Sequence, residues 1–158
     1  MAILVMAACG DDDDTSSTLP EQSSTTLDEE AAVLDAYRAG WQAYDVASAD
    51  PVDPDHPALA ETMTDGALDA SRSSLGALAE RGEYLGGPSV ELSPEVTELE
   101  DSEATVEDCV VDHGITYGAD GSEVERSDGE PLGLRAVMVK EDGTWKRSIL
   151  EEIEACDQ

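Results

Sequence analysis

A single change in hydrophobic period constrains this chain more than any other feature. Leu27, Ala31, Leu34, Tyr37, Trp41 and Tyr44 recur at steps of three and four, which lines one face of a helix of about 20 residues. Past Gly86 the pattern changes to alternation of apolar and polar residues. It is seen at Val90 and Leu92, and in residues 96–99, 104–111, 132–140 and 145–153. Successive strand side chains point to opposite faces, so alternation reads as strands with one buried side. Helices first and strands afterwards predict an α+β fold, with two or three N-terminal helices packed on an antiparallel sheet.

The punctuation agrees with that division. Thr26 and Glu29 have the spacing of a capping box at the start of the first helix. Pro51, Pro54 and Pro57 fall within eight consecutive residues, 50–57, which cannot continue helical bonding. Pro57 suits the first turn of a second helix carrying Leu59 and Met63. Asp65-Gly66 breaks the chain, and a third helix with Leu68, Leu75 and Leu78 runs to about Arg81, where Gly82 can cap it. Asp120-Gly121 and Asp142-Gly143 are hairpin-type turns, and residues 122–130 read as a loose acidic loop.

Charge excludes whole classes of partner. Asp and Glu number 38 against 8 Lys and Arg, a formal charge of −30. Such a surface repels nucleic-acid phosphates and anionic headgroups. Solubility explains it most simply, adaptation to high salt next, and divalent-cation binding last. No acidic run has the spacing of a calcium loop, and the quartet at residues 11–14 reads as a solvated tail.

At the amino terminus a short apolar run ends in Met6-Ala7-Ala8-Cys9 and gives way to Asp, Ser and Thr. This resembles the end of a bacterial lipoprotein signal peptide. The resemblance implies that residues 1–8 are a signal remnant and that Cys9 carries lipid. It also implies an extracytoplasmic protein anchored to the cell membrane. Residues 9–26 then form a disordered tether. Its stretch of about 16 residues after the anchor would reach roughly 20–25 Å. With Cys9 used for lipid, Cys109 and Cys156 remain, and in an oxidising compartment they are expected to form a disulfide. Two separate buried thiols are the alternative.

Element order, the ending Asp142-Gly143-Thr144-Trp145-Lys146 and the cysteine placement resemble the NTF2-like (cystatin-type) fold over residues 27–156. They are also similar to small secreted actinobacterial lipoproteins of that architecture. A single domain over residues 27–158 is expected. In that family a curved sheet wraps the first helix and leaves a conical pocket. The resemblance therefore implies that Tyr37, Trp41 and Tyr44 face a pocket, with Tyr84 and Met138 as further candidates for its wall. The same three aromatics at helical spacing also suit an ordinary core.

Some NTF2-like enzymes of the SnoaL and ketosteroid-isomerase type use Asp, His or Tyr in the cone for acid–base chemistry. Asp108, Asp112, His113 and Tyr117 are the candidates here. Alternation on an unbroken strand puts Asp108 and Asp112 opposite Cys109, His113 and Tyr117. His56 reads as a loop or helix-start residue. No nucleophile elbow, phosphate loop or zinc spacing occurs in the sequence. The expectation is thus a non-enzymatic envelope lipoprotein that binds a small apolar ligand or a partner protein, with no catalytic residue, metal or cofactor. A small-pocket isomerase or cyclase-like enzyme and a structural envelope protein are the alternatives.

Overall fold

Helix α1 spans Ser24–Ser48, and its buried line is Val33, Tyr37, Gly40, Ala43 and Ala47. The computed structural model describes residues 24–87, 90–154 and 156. The steps of three and four are those of the sequence pattern, but the buried line begins later. Leu27 is 51% exposed and Ala31 is exposed. The capping box expected at Thr26 does not mark the start, since the helix already begins at Ser24. Glu29 instead ties the helix to the sheet. Its Oε1 accepts from Lys140 Nζ at 2.5 Å and from Trp145 Nε1 at 2.7 Å. These two donors hold its carboxyl below the usual range.

Helix α2 spans Pro57–Thr62, with His56 as its N-cap; His56 Nδ1 accepts from the Ala58 amide at 3.3 Å. Helix α3 spans Asp65–Arg81. Asp65 takes φ 44° at the break, and Gly82 ends α3 at φ 67°, a left-handed cap that glycine adopts without strain. Leu75 and Leu78 are buried, while Leu68 is half-buried against the same cluster.

The remainder is antiparallel sheet. Strands β1 to β8 span Tyr84–Gly86, Val90–Glu91, Glu95–Leu99, Glu103–Asp112, Ile115–Tyr117, Glu123–Arg126, Pro131–Glu141 and Thr144–Glu152. The main sheet has the order β2-β4-β7-β8, with β3 also paired to β4; β1-β5-β6 forms a smaller sheet. The stretch expected to be a loose loop contains β6, whose four residues are all exposed, so no apolar alternation could announce it. Strand β7 pairs with β8 through a bulge: Met138 faces Arg147, Val137 faces Ile149, and Ser148 is the extra residue. The bulge keeps both Arg147 and Leu150 on the side that faces the helices.

Two clusters form the core. In the first, Val33 and Tyr37 of α1 pack on Ala104, Val106, Ala136, Met138 and Trp145 of the sheet. In the second, Ala43 and Ala47 meet Leu59, Met63, Ala67, Leu75 and Leu78 of the other helices. Fully buried Leu59 and Leu75 each contribute about 1.5–3 kcal/mol. A disulfide joins Cys109 on the outer face of β4 to Cys156 beyond β8, with 5.8 Å between their Cα atoms. Cys9 and most of the tether, up to residue 23, lie outside the described residues.

Candidate functional site

Where α1 leaves the main sheet and the smaller sheet begins, a cavity of about 410 Å³ opens. Trp41 and Tyr44 supply its helical wall, because they follow Tyr37 by four and seven residues on one face of α1. Leu85 of β1, Val90 of β2, Val110 of β4, and Leu132 and Leu134 of β7 supply its apolar sheet walls, while Asp112 and Glu125 bring carboxylates. An aromatic and aliphatic cup with a few polar groups is the usual constitution of a small-molecule site.

The pocket residues expected from the sequence separate in space. Trp41 and Tyr44 line the cavity. Tyr37 and Met138 are fully buried in the first core cluster and are not in its wall. Tyr84 stacks on Tyr117, ring centroids 5.5 Å apart, and belongs to a different surface depression with Pro51 and Ala119. The aliphatic wall had no sequence signal beyond strand alternation, since every strand has an apolar side.

The acid–base candidates do not converge either. His113 is exposed, its Nε2 3.4 Å from a carboxylate oxygen of Glu91. Asp112 accepts from the Gly114 amide at 2.7 Å in a turn, and Tyr117 is held in the aromatic stack. Of the four, only Asp108 is buried, at 5% exposed. Its Oδ1 accepts from the Ser93 amide at 2.7 Å, while Oδ2 is enclosed and the Tyr37 hydroxyl favours the charged form. Burial raises its pKa above the ordinary carboxylate range.

Behind the cavity wall lies a polar interior that the sequence reading missed. Tyr37 Oη and Trp41 Nε1 are enclosed beside one another, and Arg147 Nε and Nη1 are enclosed without hydrogen-bond partners. The Tyr37 hydroxyl interacts electrostatically with Asp108 and Arg147, and burial pushes its pKa up. Arg147 is 2% exposed, and its guanidinium carbon sits 5.2 Å from the Trp41 ring centroid, within cation–π range. Its one hydrogen bond runs from Nη2 to Met63 Sδ at 3.4 Å, and a thioether is a weak acceptor. Desolvation lowers its pKa to about 10, still far above neutrality, so it remains a cation. Gly40 faces it; a methyl group there would lie 3.6 Å from Cζ. The signal was present in the sequence: Arg147 shares the parity of Trp145, hence the inward face of β8.

Among the described residues no group of three or more His, Cys, Asp or Glu side chains could hold a metal ion. Nor is any helix among them long and apolar enough to cross a membrane.

No protein-family model matches the sequence, and no curated protein matches it significantly. Solved structures do resemble it. The intermembrane-space region of the chloroplast protein ARC6 superposes with a TM-score of 0.63 at 15% identity, covering 80% of this chain and 97% of that one. A scytalone dehydratase-like protein and an aromatic ring hydroxylase-like protein, both so described only provisionally and both from Novosphingobium aromaticivorans, each give a TM-score of 0.54 at 17% identity. The former match covers 85% of this chain and 90% of that one; the latter covers 80% and 94%. The fold is NTF2-like. At these identities the likeness concerns architecture alone, and one architecture hosts many functions. In NTF2-like terms, α1 is the helix the sheets surround, and the sheets do not close.

Proposed function

We propose that this protein is an exported, lipid-anchored envelope protein whose NTF2-like domain binds a small apolar ligand without transforming it. One observation carries the ligand reading: the 410 Å³ cavity walled by Trp41, Tyr44 and five aliphatic side chains. Burying apolar ligand surface against such walls drives binding. Asp112 and Glu125 at the cavity, with a formal chain charge of −30, favour a neutral or cationic ligand there over an anionic one. Export and anchoring rest on the apolar run before Cys9. The Cys109–Cys156 disulfide supports an oxidising compartment.

A titration with 1-octanol tests the ligand reading. Trp41 emission should change saturably, and Trp145→Phe should keep the response. Trp41→Ala removes that reporter, and isothermal titration calorimetry should find its binding weakened about fivefold or more, as expected for loss of an aromatic contact. No emission response in the wild type, or an unchanged calorimetric affinity in Trp41→Ala, would overturn the proposal.

A specific observation favours a second reading, a small-pocket enzyme related in fold to the scytalone dehydratase-like protein. Asp108 and Tyr37 form a buried acid and phenol with raised pKa values, and perturbed groups cluster at active sites. Neither lines the main cavity, so catalysis would require the ligand to reach past Trp41. The Asp108 carboxyl carbon resonance reads this directly: a ligand-induced shift supports the enzyme, and a static resonance leaves Asp108 structural.

A further inference from the structure

The wall of the cavity beside Trp41 is divided by chemistry. Its polar members are Asp112, Gly114, Thr116, Glu125 and Ser127. All come from the corner where β4 turns into β5, or from β6 and the residue after it. Thr116 is the cross-strand partner of both Leu85 and Glu125, so these three share one face of the smaller sheet. The Ser127 amide donates to the Gly114 carbonyl at 2.9 Å, which joins β6 to the corner. Asp112 has the parity of buried Val110 on β4, and this turns it toward the same space. Its Oδ1 accepts from the Gly114 amide at 2.7 Å. The apolar part of the wall runs away from this corner. Leu134 pairs with Asp108, four residues before Asp112, which places it about 13 Å along the strand.

The polar end is built from acceptors. No Lys, Arg or His is among the residues that line the cavity. Arg126, next to Glu125 in the chain, is held by Glu123 at 2.8 Å, and His113 lies 3.4 Å from Glu91. Among the described residues neither Asp112 nor Glu125 is in an ion pair. Two carboxylates and the hydroxyls of Thr116 and Ser127 therefore face the cavity at this end. An ammonium group has three donors and no acceptor, which complements that set, whereas a carboxylate head would meet two like charges. At the helical wall the Arg147 guanidinium carbon lies 5.2 Å from the Trp41 ring centroid, and it repels a positive head from that end.

We propose that the ligand of this cavity is a primary alkylammonium, with its head between Asp112 and Glu125 and its tail along Val110, Leu132 and Leu134. The inference rests on the apolar-ligand reading of the same cavity and deepens it by fixing the head group. Burial of the tail supplies most of the affinity. Both carboxylates are exposed, so each ion pair adds a modest increment, and together they decide which head group is preferred. A formal charge of −30 also attracts cations to the whole surface, so the decisive comparison separates these two carboxylates from the others.

Octylammonium, 1-octanol and octanoate share one tail and differ in the head, and calorimetric titration of each into the full chain tests the proposal. Octylammonium should bind about threefold or more tighter than 1-octanol, and octanoate more weakly than either. In Asp112→Asn/Glu125→Gln the ratio of ammonium to alcohol affinity should fall to about one; the new amide at position 112 still offers the Gly114 amide an acceptor. Glu61→Gln/Glu80→Gln removes as many charges from exposed positions on α2 and α3, outside the cavity, and should keep the wild-type ratio. Octylammonium that binds no tighter than 1-octanol, or a preference that survives the cavity variant or is lost equally in the surface variant, would overturn the head-group assignment and leave the apolar reading standing. Failure of octylammonium and 1-octanol alike would overturn both.

Discussion

Replacing Arg147 with methionine should make the domain more stable, although it removes a side chain enclosed on every side. Burial lowers the guanidinium pKa from its ordinary value to about 10. Since each pKa unit corresponds to 1.36 kcal/mol, that displacement represents about 3 kcal/mol of unfavourable environment for the charged form. Opposing it is the stacking on Trp41 at 5.2 Å, which contributes about 1–2 kcal/mol when desolvated. Methionine keeps the unbranched shape and loses the charge, so the net gain is about 1–2 kcal/mol, or roughly 3–10 °C in melting temperature. The sign also fixes the pH dependence. A base whose folded pKa is depressed carries its full penalty wherever it is charged, and sheds it only as pH rises through about 10. The gain should therefore be flat between roughly pH 5 and 8. Urea unfolding followed by circular dichroism measures it as a change in midpoint at constant slope. A variant less stable than wild type by more than about 1 kcal/mol would refute the reasoning, because it would mean that the guanidinium is well partnered.

Three further outcomes follow from the same geometry. Gly40→Ala should stabilise by about 0.5–1 kcal/mol, because Gly40 is helical and the added methyl meets Arg147 only at ordinary contact distances; destabilisation in thermal melts would show that the helix is pressed onto the guanidinium. Asp108→Asn should stabilise at neutral pH by about 1 kcal/mol, since a neutral amide relieves a carboxylate that burial penalises. Because the folded pKa is raised, that gain should be lost on acidification through it, where Asp108 is already protonated; a gain that persists at low pH contradicts the assignment. Replacing both Cys109 and Cys156 with Ala opens a loop of sequence separation 47 and should cost about 4 kcal/mol in the chain-entropy model, read by chemical denaturation; an unchanged midpoint would count against the disulfide.

The helices were legible because their signals are local. Pro57, Asp65-Gly66 and Gly82 each act through their own backbone, and the structure places its boundaries at those residues. The paired strands were legible where one face is buried, as in β4 and β7. β6 was missed because all its side chains are exposed. Glu29 was read as a local cap, but its partners Lys140 and Trp145 lie at the far end of the chain, beyond any spacing rule. The candidate site divided in the same way. Helical periodicity put Trp41 and Tyr44 on one face, and only the resemblance to the NTF2-like fold implied that this face meets a pocket, whereas Tyr84 was drawn away by Tyr117, a tertiary contact. Alternation set Asp108 on the face opposite Cys109 without saying which face is buried, and Arg147 went unread, because a charged residue on an inward face carries meaning only once its surroundings are known.

The central claim is that the cavity beside Trp41 receives an apolar ligand, and amide chemical-shift mapping of the isotope-labelled domain with 1-octanol tests it most directly. Saturable shifts should gather on Leu85, Val90, Val110, Thr116, Leu132 and Leu134, the residues that surround the cavity with Trp41 and Tyr44, and should leave Arg135 and Val137 on the outer face of β7 unmoved. Shifts that never saturate, or that gather instead on the outer face of the sheet, would contradict the account.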